Sequence, residues 1–118
     1  GDPVGLASIG DCYFYGNGVD KDLVSAVEFY KYAADRGEVG ALYNLALCYL
    51  EGNGVECDEK RGTELLGKAV DFRFSKAMVQ LGFCFENGKG VARDEKQAVE
   101  LYRRATNCGD AEGYYHLG

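Results

Sequence analysis

The chain has a single histidine, His116, a single proline and a single methionine in 118 residues. One imidazole argues against both histidine-dependent catalysis and a His/Cys metal cluster. The five cysteines are also never two to four residues apart, the spacing that zinc sites use. No apolar run approaches the roughly 20 residues of a bilayer span. The start carries no charged, then apolar, then small-residue leader, so the sequence predicts a soluble chain with any address signal outside it. Nor is there a long block of like charge. Thirteen basic residues against nineteen acidic ones give a net charge of -6, a surface that repels phosphate backbones and anionic lipid. Nucleic acid and membrane are therefore excluded as expected partners.

What the chain has in quantity is glycine, and the glycines are ordered. One phrase recurs at a spacing of 36 residues: Cys12-Tyr13-Phe14-Tyr15-Gly16-Asn17-Gly18-Val19, Cys48-Tyr49-Leu50-Glu51-Gly52-Asn53-Gly54-Val55 and Cys84-Phe85-Glu86-Asn87-Gly88-Lys89-Gly90-Val91. Asp22, Asp58 and Asp94 share one phase of this period, as do Ala33, Ala69 and Ala105. A strict period of this length marks stacked units in which each buries its neighbour's face. The units run 1–36, 37–72 and 73–108, and 109–118 opens a fourth, all within one repeat domain spanning 1–118. The stretch reads as a piece of a longer array, and an uncapped repeat end would leave an adhesive face.

Within each unit the apolar spacing is helical. Ala41, Leu42, Leu45, Ala46 and Tyr49 follow one buried face, and Ala26, Val27, Phe29, Tyr30, Ala33 and Ala34 follow another. The spacing predicts an antiparallel helix pair per unit, over repeat positions 3–15 and 22–35. Asp22, Asp58 and Asp94 are the expected N-caps of the second helices, and Asp2 caps the helix that Pro3 opens. Asp94 with Gln97 comes close to a capping box. Gly37 and Gly109 are placed to end the second helices in the left-handed conformation. Arg73 stands in the same phase, so that turn must strain or take another shape. Between the two helices, Gly-x-Gly-Val admits positive φ twice while the valine packs under the turn.

Alanine at repeat position 5, leucine-glycine at 9 and 10, tyrosine at 13, Gly-x-Gly-Val at 16–19, aspartate at 22, alanine at 26, tyrosine at 30 and alanine at 33 resemble the Sel1-like repeat family, relatives of the tetratricopeptide repeats. The resemblance covers essentially the whole chain. Its departures are Gly62-Thr63 in place of alanine, Leu66 in place of tyrosine and Arg73-Phe74 in place of glycine-aspartate. A helical glycine costs about 1 kcal/mol relative to alanine, so a weaker middle second helix is expected. The resemblance implies an all-α, right-handed superhelical solenoid acting as an adaptor or scaffold. One secreted branch of the family bridges repeat positions 6 and 34 with a disulfide; here those positions hold Leu6, Leu42, Met78 and Tyr114, then Ala34, Val70 and Thr106. Without that bridge, a reducing, intracellular and cytoplasmic setting is expected.

Cys12, Cys48 and Cys84 recur in one phase on stacked helices roughly 10 Å apart, beyond the approximately 7 Å Cα separation a disulfide spans. They are expected to be small core residues. Cys57 replaces Lys21 and Arg93 of the sister units in an exposed turn, with no resolving cysteine beside it. Gly88-Lys89-Gly90 lacks the Gly-Lys-Ser/Thr ending and preceding strand of a phosphate loop. Carboxylate pairs such as Asp58-Glu59 are ordinary at helix N-termini. No catalytic residue, cofactor or metal ligand is therefore assigned.

Aligning the shared leucine, glycine and tyrosine with the tetratricopeptide pattern maps that family's ligand-facing positions onto an apolar stripe of Phe14, Tyr15, Tyr43, Leu47, Leu50, Val79, Phe83 and Tyr115. Aromatic patches of this kind mark partner sites. Asp11, Glu51, Glu86 and Glu112 along the same face favour a peptide or amphipathic helix with basic flanks. The expected function is a non-catalytic protein–protein interaction scaffold. One alternative is a structural spacer or an array self-associating through its ends. Another is a hydrolase acting on a cell-wall or β-lactam-like substrate, which would need a convergent nucleophile or acid–base pair that the sequence does not display.

Overall fold

The computed structural model describes residues 3–107. Six α-helices of equal length follow one another: α1 (Pro3–Tyr15), α2 (Leu23–Asp35), α3 (Val39–Glu51), α4 (Glu59–Asp71), α5 (Ser75–Asn87) and α6 (Glu95–Asn107). Each helix begins 36 residues after its counterpart, as the glycine period requires. The strongest packing is within the pairs α1/α2, α3/α4 and α5/α6, and the pairs join through α2/α3 and α4/α5. The result is an all-α repeat solenoid. The cap expected at Asp2, the turn at Gly109 and the unit opening at 109–118 lie outside the described residues.

The turn within each pair is held the same way three times. Asn17, Asn53 and Lys89 donate their backbone N–H to the carbonyls of Cys12, Cys48 and Cys84, at 2.9, 3.0 and 2.9 Å. Asp22, Asp58 and Asp94 donate theirs to Tyr13, Tyr49 and Phe85, at 2.8, 2.9 and 2.9 Å. The aspartate side chains then cap the next helix. Asp22 accepts from the Ser25 amide at 3.1 Å, Asp58 from the Arg61 amide at 3.1 Å, and Asp94 from the amides of Lys96 and Gln97 at 3.1 and 3.2 Å. The bond from the Ser25 amide, reinforced by its hydroxyl, holds the Asp22 carboxyl below its ordinary pKa of 3.8. A lowered carboxylate pKa stabilises the fold above that ordinary value, and the contribution is lost as pH falls through the lowered one.

The second glycine of the turn has a further task in two of the three units. A Cβ on Gly54 would lie 2.2 Å from the Leu23 carbonyl oxygen, and one on Gly90 would lie 2.4 Å from that of Glu59. Each turn is thus pressed against the start of the preceding unit's second helix, with Val27 and Thr63 beneath it. Thr63 is buried, yet its hydroxyl donates to the Lys60 carbonyl at 2.8 Å. At Gly18, by contrast, nothing lies within 4 Å.

The departures from the repeat pattern have packing reasons. In the outer units a glycine sits under a tyrosine ring: a Cβ on Gly10 would meet Tyr30 at 2.9 Å, and one on Gly82 would meet Tyr102 at 2.8 Å. The middle unit carries Ala46 and Leu66 at those positions, a larger residue facing a smaller one. Gly62 makes room for Leu50, whose Cγ would stand 2.7 Å from an added Cβ. The helical glycine thus gains packing that offsets its propensity cost. Arg73 strains: its φ of 60° repeats the left-handed turn that Gly37 makes at 93°. Both turns return their amides to the preceding helix, Gly37 to Ala34 at 3.0 Å and Arg73 to Val70 at 2.8 Å.

Candidate functional site

Helices α1 and α3 stand side by side over α2, and a cavity of about 210 Å³ opens between them. From α1, Phe14 and Tyr15 form one wall, their rings 4.9 Å apart and inclined at 68° in an edge-to-face contact. The floor is Tyr30 of α2, 6.5 Å from Phe14. From α3 come Asn44, Leu47, Cys48 and Glu51, and the following turn adds Asn53. The period places Phe14 and Tyr15 on the last turn of α1, where the helix breaks at Gly16 and leaves Tyr15 67% exposed.

The cavity carries one carboxylate, Glu51, and no cationic side chain among the described residues. Tyr30, buried, donates its hydroxyl to the Asp11 carboxylate at 2.5 Å. Burial first, and this carboxylate second, push the Tyr30 hydroxyl pKa far up. Glu51 accepts from the Asn53 amide at 3.1 Å. Burial, with Glu51 nearby, pushes the Cys48 thiol up to about 11, so at neutral pH it is a thiol and a poor nucleophile. Among the described residues no group of three or more His, Cys, Asp or Glu could hold a metal ion.

The stripe expected from the sequence is not continuous. Phe14, Tyr15 and Leu47 come together around the cavity. Tyr43 is half-buried, its ring 5.3 Å from that of Phe74, which stands at the α5 N-cap without a capping side-chain bond. Phe83 is 45% exposed on α5. Leu50 and Val79 are corrections. They are only 5% and 4% exposed and belong to the core. Leu50 is seated on Gly62, and Val79 lies on a helix whose neighbouring Ala77, Met78, Leu81 and Gly82 are buried as well. Tyr115 and Glu112 lie outside the described residues. Sequence reasoning missed Tyr30, Asn44, Cys48 and Asn53 as cavity lining. The tyrosine was legible only as a core residue, because its bond to Asp11 spans 19 residues.

The opposite face carries a larger, open trough of about 600 Å³ between α2 and α4, floored by Leu42, Leu45 and Tyr49 of α3. Arg61 lies over the Tyr49 ring there, 5.3 Å from its centre. The cysteines behave as expected where described: Cys48 and Cys84 are buried, Cys12 is partly buried, Cys57 is exposed, and all four are free thiols. No helix among the described residues is long and apolar enough to cross a membrane.

Consecutive antiparallel helix pairs that pack chiefly onto their neighbours define an α-solenoid repeat protein. The Sel1 repeat family model matches residues 3–38, 39–71 and 75–110, and the chain belongs to that family. A Sel1 repeat protein from Oxalobacter formigenes is similar at TM-score 0.93 and 34% identity, over 98% of this chain and 47% of its own. The protective antigen c5321 of uropathogenic Escherichia coli, with an SLR fold, is similar at TM-score 0.90 and 30% identity, over 99% of this chain and 25% of its own. Helicobacter pylori cysteine-rich protein B shares the fold at TM-score 0.81 and 20% identity, over 98% of this chain and 89% of its own. The ERAD-associated E3 ubiquitin-protein ligase component HRD3B of Arabidopsis thaliana is 46% identical over 37 residues, 31% of this chain and 6% of that protein. The chain thus spans less than half the length of the first two bacterial structures and a small part of the plant protein. Sel1 repeat proteins are in general protein-interaction scaffolds without catalytic activity.

Proposed function

We propose that this chain is an interaction scaffold that holds a peptide or helix of a partner protein along the face formed by α1, α3 and α5. The observation that carries the reading is the cavity between α1 and α3, walled by Phe14 and Tyr15 and open to solvent. A folded chain has little reason to leave an aromatic pair at the mouth of a cavity unless something else fills it, and aromatic anchors dominate protein interfaces. Phe83, exposed on the same layer of helices, extends the face into the next unit. The likeness of one segment to a component of a ubiquitin ligase supports a place within a multi-protein assembly. The free thiols of Cys12, Cys48, Cys57 and Cys84 favour a reducing compartment such as the cytoplasm.

Selection of binders from a displayed library of random peptides, followed by competition with a Tyr15→Ala, Leu47→Ala, Phe83→Ala variant that keeps its circular dichroism spectrum, tests the reading. Peptides that bind the native chain and lose the variant support it. Peptides that bind both equally, or an empty selection accompanied by concentration-dependent self-association in sedimentation, overturn it in favour of a spacer or self-associating array.

A further inference from the structure

We infer that the cavity between α1 and α3 is a subsite for one basic side chain, lysine or arginine, of the bound partner. The inference rests on reading this face as the ligand face and adds the chemistry of its anchor. Size is the first argument. At about 210 Å³ the cavity falls below the roughly 300–1,000 Å³ of small-molecule sites, and it suits a single long side chain.

Charge and ring geometry are the second. Phe14 and Tyr15 form an aromatic wall, their rings inclined at 68°, and a cation is attracted to a ring face. Glu51 stands at the cavity with only the Asn53 amide on its carboxylate, and Asp11 holds the hydroxyl of the floor tyrosine. Among the described residues no cationic side chain pairs with either carboxylate. An aliphatic guest would fill the space and desolvate Glu51 without compensation. A lysine or arginine brings an apolar stem for Phe14 and Leu47 and a charged head for the Glu51 carboxylate.

The next junction of the same molecule supplies the contrast. One period on, Phe14, Tyr15 and Tyr30 become Leu50, Glu51 and Leu66, while Glu51 and Asn53 become Asn87 and Lys89. Burial raises both thiols to about 11, with Glu51 adding to the rise at Cys48 and the protein's own Lys89 offsetting part of it at Cys84. The second junction carries a cation, Lys89, at the repeat position where the first has the neutral Asn53.

The test is a heteronuclear NMR titration of the whole chain with N-acetyl-lysine methylamide and N-acetyl-arginine methylamide, set against N-acetyl-norleucine methylamide as the neutral probe. The cationic probes are expected to shift the amide signals of Tyr15, Leu47, Glu51 and Asn53 saturably and to leave Asn87 and Lys89 unmoved. Glu51→Gln and Tyr15→Leu, both at exposed positions, are each expected to weaken this binding by about threefold or more. Equal shifts from norleucine, shifts spread unsaturably over the acidic surface, or indifference to Glu51→Gln overturn the inference. If peptides selected on the native chain still lose the Tyr15, Leu47 and Phe83 variant while the probes fail, the basic subsite falls and the interaction face stands. If both fail, the face itself falls.

Discussion

The two junctions of this solenoid are built on one backbone plan and lined by different side chains. At both, a turn glycine is pressed onto a carbonyl of the preceding unit, Gly54 on Leu23 and Gly90 on Glu59. Yet the first junction surrounds its cavity with three aromatic rings and an exposed glutamate, and the corresponding residues of the second are two leucines, a glutamate and an asparagine beside Lys89. Stacking and the lining of the junctions are therefore separable in this chain. The residues that recur every period hold units together, and the residues that vary between periods distinguish one junction from the next.

The largest effect is expected where the shared plan is broken. Gly54→Ala and Gly90→Ala each place a methyl group inside contact distance of a backbone carbonyl, at a positive φ as well, and are expected to cost about 3 kcal/mol or more in urea unfolding. Gly18→Ala carries the same φ penalty with open space around it and should cost about 1–2 kcal/mol. Equal losses at all three positions would mean that φ alone governs the turns and that the lock between units is not there.

A smaller effect is expected from exchanging the two kinds of lining. Leu66→Tyr puts a ring where Ala46 leaves less room than Gly10 and Gly82 leave for their tyrosines, and should destabilise by about 1–3 kcal/mol. Adding Ala46→Gly is expected to recover part of that loss in the same unfolding experiment. If the double variant is no better than the single one, the pairing of small residue and ring across each unit is not what sets the lining.

The smallest concerns the linkers between units, which follow one path with different residues. Arg73→Gly removes a left-handed strain that Gly37 avoids, and should raise stability by about 1 kcal/mol by thermal or urea unfolding. A loss on substitution would show that the Arg73 side chain contributes more than its backbone costs.

The parts of this molecule legible in the sequence are those governed by local chemistry. Asp22, Asp58 and Asp94 announce helix starts, and the paired glycines announce turns, because capping and positive φ are decided within a few residues. The face of the first helices was legible from the register as well. The depth of each residue on that face was not. Leu50 looked as available as Phe14, since both occupy one repeat position. What separates them is Gly62, twelve residues further along the chain on a packed helix, into which Leu50 sinks. Tyr30 posed the reverse problem: a conventional core position became the floor of a cavity through its bond to Asp11. Phe74 departed from the pattern for a reason found only in space, namely the ring of Tyr43.

The packing of each helix chiefly on the helices just before and after it governs how the chain comes together and apart. Few contacts require distant segments to find one another, so little loop-closure entropy is spent before packing energy is gained, and assembly is fast. Loss of order then spreads one pair at a time, because opening one unit breaks only its own seams with the next. The cavity straddles the seam between the first pair and the second, so a guest seated there acts as a clasp. Its binding energy is added to that seam, and the cooperativity of the array rises with occupancy.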